Sequence, residues 1–242
     1  MREAFAEKRV LIVGVGGLGC PVSIALAAAR VGTLGIVDDD VVELTNLHRQ
    51  VLFDESMIGI PKVDAAATSL SRFGPRIERH CTRFVPENAI AIATNYDLIV
   101  DAADNFPTKF LLADVARKLR VPVVHASAER WSGFAFAVGK SAAPCYRCVF
   151  EDVPSGAARN CNDTGVVGAA LGVIGAVQAD LALRILAGDA SVEGLLFQFD
   201  GLRSRGRSSR LAARADCVLC CADQVTIERT RYVPNAHARA VS

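Results

Sequence analysis

A doubly wound α/β fold, a twisted parallel sheet with helices on both faces, is what this 242-residue sequence predicts. Three observations lead there. Short apolar runs alternate with helix-patterned segments through the first half of the chain. A glycine run, Gly14-Val15-Gly16-Gly17-Leu18-Gly19, follows the first apolar run directly and opens into a helical pattern. The second apolar run closes on Asp38-Asp39-Asp40, which places acidic groups at the carboxyl edge of the sheet, where ligands bind. Together they specify a Rossmann-like parallel sheet.

The elements follow in order. Residues 9–13 read as a short buried strand, and Pro21 suits the first turn of a helix that runs to about Arg30. Residues 33–37 form a second strand. A helix over 62–72, a buried strand over 97–100 ending at Asp101, a helix over 107–120 and a strand over 121–125 continue the alternation. Beyond Gly133 the pattern changes to a strand over 134–138, a Cys-x-x-Cys unit, a polar loop, an apolar helix and a strand over 195–200. These are expected to pack on the same sheet as a C-terminal extension. The apolar stretch 165–177 is interrupted by Gln178, Asp180 and Arg184 before the roughly twenty residues a bilayer requires, so it is expected as a core helix and no membrane is implied. Residues 203–210, arginine-rich and brief, are expected as a solvated loop.

Composition narrows the function. A chain that is 51% hydrophobic can bury a large core, and one domain over 1–242 is expected. A net charge of +1 and 6% aromatic residues do not match the basic surface of a nucleic-acid binder. The charged N-terminus, Met1 to Arg9, does not read as a secretory signal, and a cytoplasmic protein is expected. In a reducing compartment, eight cysteines argue for metal or catalytic thiols over disulfides.

The chemistry sits in four groups of residues. The glycine loop, with Gly14, Gly16, Gly17 and Gly19, lets backbone N–H groups and a helix N-terminus face a phosphate, since residues without a Cβ permit close approach. Asp38 lies at about the spacing at which an acidic residue hydrogen-bonds a ribose hydroxyl, and Asp40 shares that edge. To this point a nicotinamide-dependent dehydrogenase fits equally well. The tie is broken by Asn46, Arg49 and Gln50, then Lys62, then Asp104-Asn105 after a strand. A nicotinamide site needs no such charge around its phosphates, whereas nucleotidyl transfer does: Arg49 and Lys62 can neutralise a triphosphate, and Asp104 can hold Mg2+ directly or through water. The last group is Cys145-Tyr146-Arg147-Cys148 with Cys217-Val218-Leu219-Cys220, two pairs that can close a tetrahedral Zn2+ site with no open position, so the metal is expected to be structural. Cys161 precedes the apolar helix by a few residues, where the helix N-terminus favours a thiolate. Cys20 and Cys81 read as ordinary buried thiols, and His48, His80 and His125 form no ligand spacing.

The ordered set Gly14 to Gly19, Asp38-Asp39-Asp40, Asn46-Leu47-His48-Arg49-Gln50, Lys62, Asp101-Ala102-Ala103-Asp104-Asn105, Pro144 to Cys148, Gly165-Val166-Val167-Gly168 and the closing Cys-x-x-Cys resembles the ThiF, MoeB and HesA group, bacterial relatives of ubiquitin-activating enzymes. The resemblance runs from about Arg9 to Cys220, and Arg159-Asn160-Cys161 with the following glycine segment looks most like ThiF. It implies a nucleotide-binding part over about 9–130 and a zinc and crossover-loop part over about 131–225. It also implies an ATP-dependent adenylyltransferase acting on the C-terminal Gly-Gly carboxylate of a ubiquitin-like sulfur carrier, ThiS-like in thiamine biosynthesis, with a MoaD-like carrier or a non-catalytic carrier-binding partner as alternatives. By similarity, Gly17 lies against the nucleotide, Asp38 holds the ribose, Asn46, Arg49 and Lys62 contact the phosphates, Asp104 and Asn105 serve the metal and phosphate end, and Cys161 handles sulfur. A homodimer is implied. Relatives carry an arginine-bearing N-terminal segment that is not matched here, and some append a sulfurtransferase domain, so a separate sulfur donor protein is expected.

Overall fold

In the computed structural model of the chain, residues 4–153 and 165–233 are described. Among them a single eight-stranded sheet runs in the order β3-β2-β1-β4-β5-β6-β7-β8. The strands are β1 (Arg9–Val13), β2 (Thr33–Val37), β3 (Arg76–His80), β4 (Leu98–Asp101), β5 (Val123–Glu129), β6 (Ser132–Val138), β7 (Leu195–Asp200) and β8 (Arg205–Arg210). The first five are parallel to their neighbours and the last three are added antiparallel. The helices are α1 (Gly19–Ala28), α2 (Lys62–Leu70), α3 (Pro86–Ala93), α4 (Phe106–Leu119), the single turn α5 (Tyr146–Val149) and α6 (Gly168–Leu186).

Strand alternation divides the core in two. Val10 and Ile12 of β1, with Leu34 and Ile36 of β2, pack toward α1, α2 and α6. Leu11 and Val13 point the other way, into a core with α3, α4 and α5 that also takes in Tyr146, Cys145 and Cys217. Because both faces are covered, the central strands are apolar throughout. Helix α6 has the length and mean hydropathy, 1.6, of a membrane span, yet it packs against α1, β5 and β6. The Gln178 that interrupts its apolar run is buried, and its Nε2 donates to Asp101 O and Val124 O, both at 2.8 Å.

Three features depart from the sequence expectation. Strand β3 and helix α3 fall in a stretch the pattern leaves unassigned, since β3 (Arg-Ile-Glu-Arg-His) is a half-exposed edge strand whose charges mask its periodicity. The helix over 165–177 runs on to Leu186, with Asp180 and Arg184 forming an i,i+4 ion pair on its outer side. The arginine-rich segment expected as a loop is the opposite edge strand, β8, almost wholly exposed.

Strand order reverses between β1 and β4, which leave the centre of the sheet in opposite directions. Their carboxyl ends diverge into a crevice, and this is where the site lies.

Candidate functional site

A cavity of about 1120 Å3 opens at that crevice. The loop after β1 forms its floor. Gly14 has φ +90° and passes so close to the β4 loop that a Cβ would lie 2.7 Å from Ala102 O, so only glycine fits there. Gly19 does not line the cavity. A Cβ on it would sit 2.1 Å from Gly14 O, so its role is packing the start of α1 onto the loop, not contact with a nucleotide. Gly16 has no protein atom closer than 3.6 Å to such a Cβ and faces the cavity, whereas at Gly17, which also lines it, a Cβ would lie 2.7 Å from Leu171 Cδ1.

Asp38, at the end of β2, accepts the Val15 N–H on Oδ2 (2.8 Å) and the Asp40 N–H on Oδ1 (3.0 Å). Burial pushes its pKa up, opposed by nearby Lys62 and by these two N–H groups. The carboxylate thus pins the glycine loop while keeping lone pairs for a ligand hydroxyl. Lys62, first residue of α2, is 5% exposed; its Nζ donates to Asp40 Oδ2 at 2.7 Å and its N–H to Asp40 O at 2.9 Å. Arg49 donates through Nη2 to Asn46 Oδ1 at 2.7 Å, which sets the two side chains side by side at the rim.

The far wall is the loop after β4. Asp104 is exposed, and Asn105 caps α4 by accepting the Thr108 N–H on Oδ1 (3.0 Å) while its amide lies 3.4 Å from Asp104 Oδ1. Gly14, Gly16, Gly17, Asp38, Asp40, Asn46, Arg49, Lys62, Asp104 and Asn105 therefore share one cavity. Cys161 lies outside the described residues.

Gln50, read from the sequence only as a member of the cluster with Asn46 and Arg49, is buried beside the cavity with Oε1 unpartnered among the described residues, an acceptor available to a ligand N–H or O–H. Sequence reading missed two contributors. Arg83 and Arg229 come from the loop after β3 and from the C-terminal segment, and no local motif marks either as cavity-lining. The second is a buried network behind Asp104. Asp101 accepts Lys109 Nζ at 3.1 and 3.2 Å, the Ala103 N–H at 3.1 Å and the imidazole of His125 at 2.7 Å. Burial alone would raise the Asp101 pKa, but Lys109 and His125 outweigh it and hold it below 3.8. An ionised Asp101 requires the proton of neutral His125 on Nδ1, so Nε2 is bare, buried and unpartnered among the described residues. The signal in the sequence is only a lysine eight residues after a strand-end aspartate, in the first turn of the following helix.

Burial pushes the His125 pKa below 6.5; Asp101 acts against that shift and Lys109 with it. The unfolded chain takes up a proton there near pH 6.5 while the folded chain does not. Stability is thus full above pH 6.5 and falls as pH drops below it. His80, also shifted down by burial, adds to the same limb. His125→Gln should therefore lose less thermal midpoint than the parent between pH 6.5 and pH 5. Parallel melting curves would refute the assignment.

The four cysteines of the two Cys-x-x-Cys units converge on the α4 side of the sheet. Their Sγ separations of 3.9 Å (Cys145–Cys148), 3.5 Å (Cys145–Cys217), 3.5 Å (Cys148–Cys220) and 3.3 Å (Cys145–Cys220) bracket the spacing of about 3.8 Å set by a tetrahedral ion with bonds near 2.3 Å. The donor set and spacing fit Zn2+. Cys221 is exposed and donates instead to Ala215 O at 3.2 Å. The spacer residues fasten the knuckle: Tyr146 is buried against Phe110 and His125, and Arg147 forms a two-bond pair with buried Asp114 of α4 at 2.9 and 3.0 Å. Tyr232 donates to the same aspartate at 3.0 Å, which brings the C-terminal segment to the cavity wall.

Comparison with known proteins places this arrangement. The ThiF family model matches residues 2–220. The adenylyltransferase and sulfurtransferase MOCS3 of Culex quinquefasciatus is 46% identical over 216 residues, 87% of this chain and 49% of that protein. The protein of the same name from Sus scrofa is 44% identical over 220 residues, 89% of this chain and 48% of that protein. The chain spans about half the length of these curated relatives. Among solved structures, Escherichia coli MccB with ATP superposes with a TM-score of 0.74 at 18% identity, covering 90% of this chain and 68% of that one. PaaA gives 0.73 at 21%, covering 88% and 67%. At such identities the likeness is one of fold.

Proposed function

The chain belongs to the ThiF family, and from that premise we propose that it is an ATP-dependent adenylyltransferase for the C-terminal carboxylate of a ubiquitin-like sulfur carrier. The observation that carries the reading is the convergence of Lys62, Arg49 and Asn46 with the glycine loop on one wall of a single cavity and Asp104 on the other. In the reaction a carboxylate oxygen of the carrier tail attacks the α-phosphorus of ATP. The bond from that phosphorus to the bridging oxygen breaks, and pyrophosphate leaves with its electron pair. No proton has to be removed, because a carboxylate is already ionised at neutral pH. The protein's work is positioning and charge stabilisation.

Gly16 and Gly17 would admit the phosphates against backbone N–H groups, and Asp38 would take the ribose. Lys62 and Arg49 would meet the charge that builds on the departing pyrophosphate. Asp104 would hold Mg2+, which when bound supplies further neutralisation of the phosphate oxygens. The four-cysteine knuckle would hold Zn2+ with no position left for chemistry.

The expectation of a ThiS-like carrier in thiamine biosynthesis gives way to the alternative. The two relatives described above, 46% and 44% identical, are named MOCS3, which favours a MoaD-like carrier. The segment that suggested ThiF, Arg159-Asn160-Cys161, lies outside the described residues. A separate sulfur donor and a homodimer belong to the proposal.

ATP–pyrophosphate exchange with purified MoaD-type and ThiS-type carriers, each with and without its terminal Gly-Gly, tests the reading. Exchange should appear with the MoaD-type carrier and vanish with its Gly-Gly. Exchange with the ThiS-type carrier alone would overturn the choice of carrier, and no exchange with either would overturn the activity.

A further inference from the structure

The cavity has a charged side and an apolar side. Lys62 at the start of α2, with Asn46 and Arg49 in the segment that leads to it, lines the side covered by α1, α2 and α6. On the opposite face, covered by α3 and α4, the lining is apolar: Phe84 and Val85 stand just before α3, and Pro107 and Leu111 belong to α4. Asp38 follows β2 at the edge of the sheet that separates the two faces. A nucleotide whose ribose meets Asp38 and whose phosphates meet Lys62 therefore has its base, a flat and largely apolar group, on the side of α3 and α4.

The sheet and its helices do not close that side alone. Arg229, Tyr232 and Val233 line it too, and they come from a segment beyond residue 220, the last that the family model matches. The segment is tied down along its length. Lys118 Nζ of α4 donates to Val225 O at 2.9 Å, Arg229 Nε donates to Glu87 Oε1 in the first turn of α3 at 3.0 Å, and the Tyr232 hydroxyl donates to Asp114 Oδ2 of α4 at 3.0 Å, with Arg231 Nη2 3.5 Å from the same oxygen. Asp114 is fully buried and already holds Arg147, so the tyrosine completes the partners of a carboxylate that solvent does not reach.

Packing against α4 accounts for Tyr232, which is 6% exposed, but not for the rest. The tie to Glu87 carries the segment across from α4 to the N-terminal turn of α3, beside Pro86 on the cavity wall. It also leaves Val233, an apolar residue 52% exposed, on that wall, where a planar base would cover it.

Resting on the proposed activity, we propose that residues 229–233 form the base-side wall of the nucleotide site, with Arg229 and Tyr232 as positioning residues that hold Val233 and the chain around it against the base of ATP. The wall acts on binding of the nucleoside end and leaves the phosphate end to Lys62, Arg49 and the glycine loop.

The test is calorimetric titration of the whole chain, without carrier, with ATP and with inorganic tripolyphosphate, which lacks base and ribose. The Arg229→Ala, Tyr232→Phe double variant loses both ties but keeps the buried ring, and Asp114 keeps its two bonds to Arg147. ATP should bind this variant about tenfold more weakly than the parent, and tripolyphosphate should bind both alike. Val233→Asp, which leaves the ties in place, should weaken ATP by a similar factor and spare tripolyphosphate. In ATP–pyrophosphate exchange the half-saturating ATP concentration should rise with the half-saturating carrier concentration unchanged. ATP binding unchanged in either variant, or an equal loss for tripolyphosphate, would overturn the wall and leave the activity standing. A parent that binds no ATP would overturn the activity and the wall together.

Discussion

Lys62→Ala is expected to lower ATP–pyrophosphate exchange by about 10²- to 10³-fold, the scale on which one preorganised charge donor contributes to a transition state. The side chain is 5% exposed at the base of the cavity, where low polarity strengthens its attraction for phosphate. Its partner Asp40 has a side chain 64% exposed, so the orphaned carboxylate is left in water and the fold should tolerate the loss. Lys62→Arg should not restore the rate, because a branched guanidinium has to displace buried neighbours where a single Nζ fits. The measurement is initial-rate exchange beside a thermal melt. A variant that exchanges within threefold of the parent would remove Lys62 from the machinery, and a melt lowered by many degrees would recast it as a structural group.

Cys145→Ser is expected to abolish binding of the proposed Zn2+ and with it the order of the C-terminal part. A structural zinc site contributes on the order of 10 kcal/mol, comparable to the whole stability of a domain of this kind, about 5–15 kcal/mol. Cys145 is 2% exposed and belongs to the core shared by Phe110 and Tyr146, so losing its ligand bond releases more than a surface loop. Arg147 next to it is bonded twice to Asp114, and release of the knuckle leaves that aspartate buried without its main cation. Elemental analysis should find less than one zinc per chain, and melting should begin far below the parent's. Stoichiometric zinc with an unchanged melt would show that three thiolates suffice and that the metal is not what holds this part together.

What could be read from the sequence, and what could not, follows from burial. The strands β1, β2 and β4 were legible because both their faces are covered and their residues are apolar without interruption. Strands β3 and β8 were not, since both are edges of the sheet and carry charged or polar side chains at most positions. The residues around the cavity were legible as a set because they stand in the glycine loop, just after β2 and β4, and in the segment that leads from β2 to the first residue of α2, where sequence order maps directly onto the carboxyl edge. Gly19 shows the limit of that reading. It belongs to the same glycine run, but only in the folded chain is its missing Cβ seen to make room for a carbonyl of the loop itself. The Asp101–Lys109–His125 network was illegible for a different reason: its members come from a strand end, the buried side of a helix and the next strand, and a periodic pattern does not register which polar side chains meet across elements.

One continuous sheet has a geometrical consequence. The phosphate crevice between β1 and β4 and the arginines of β8 belong to the same plate, with no linker between them that could bend. Three inter-strand steps separate Ser127 from Arg207, about 14 Å at the usual spacing of adjacent strands. That separation is set by the fold itself, so Ser127 at the crevice and Arg207 at the far edge keep it whatever the crevice holds.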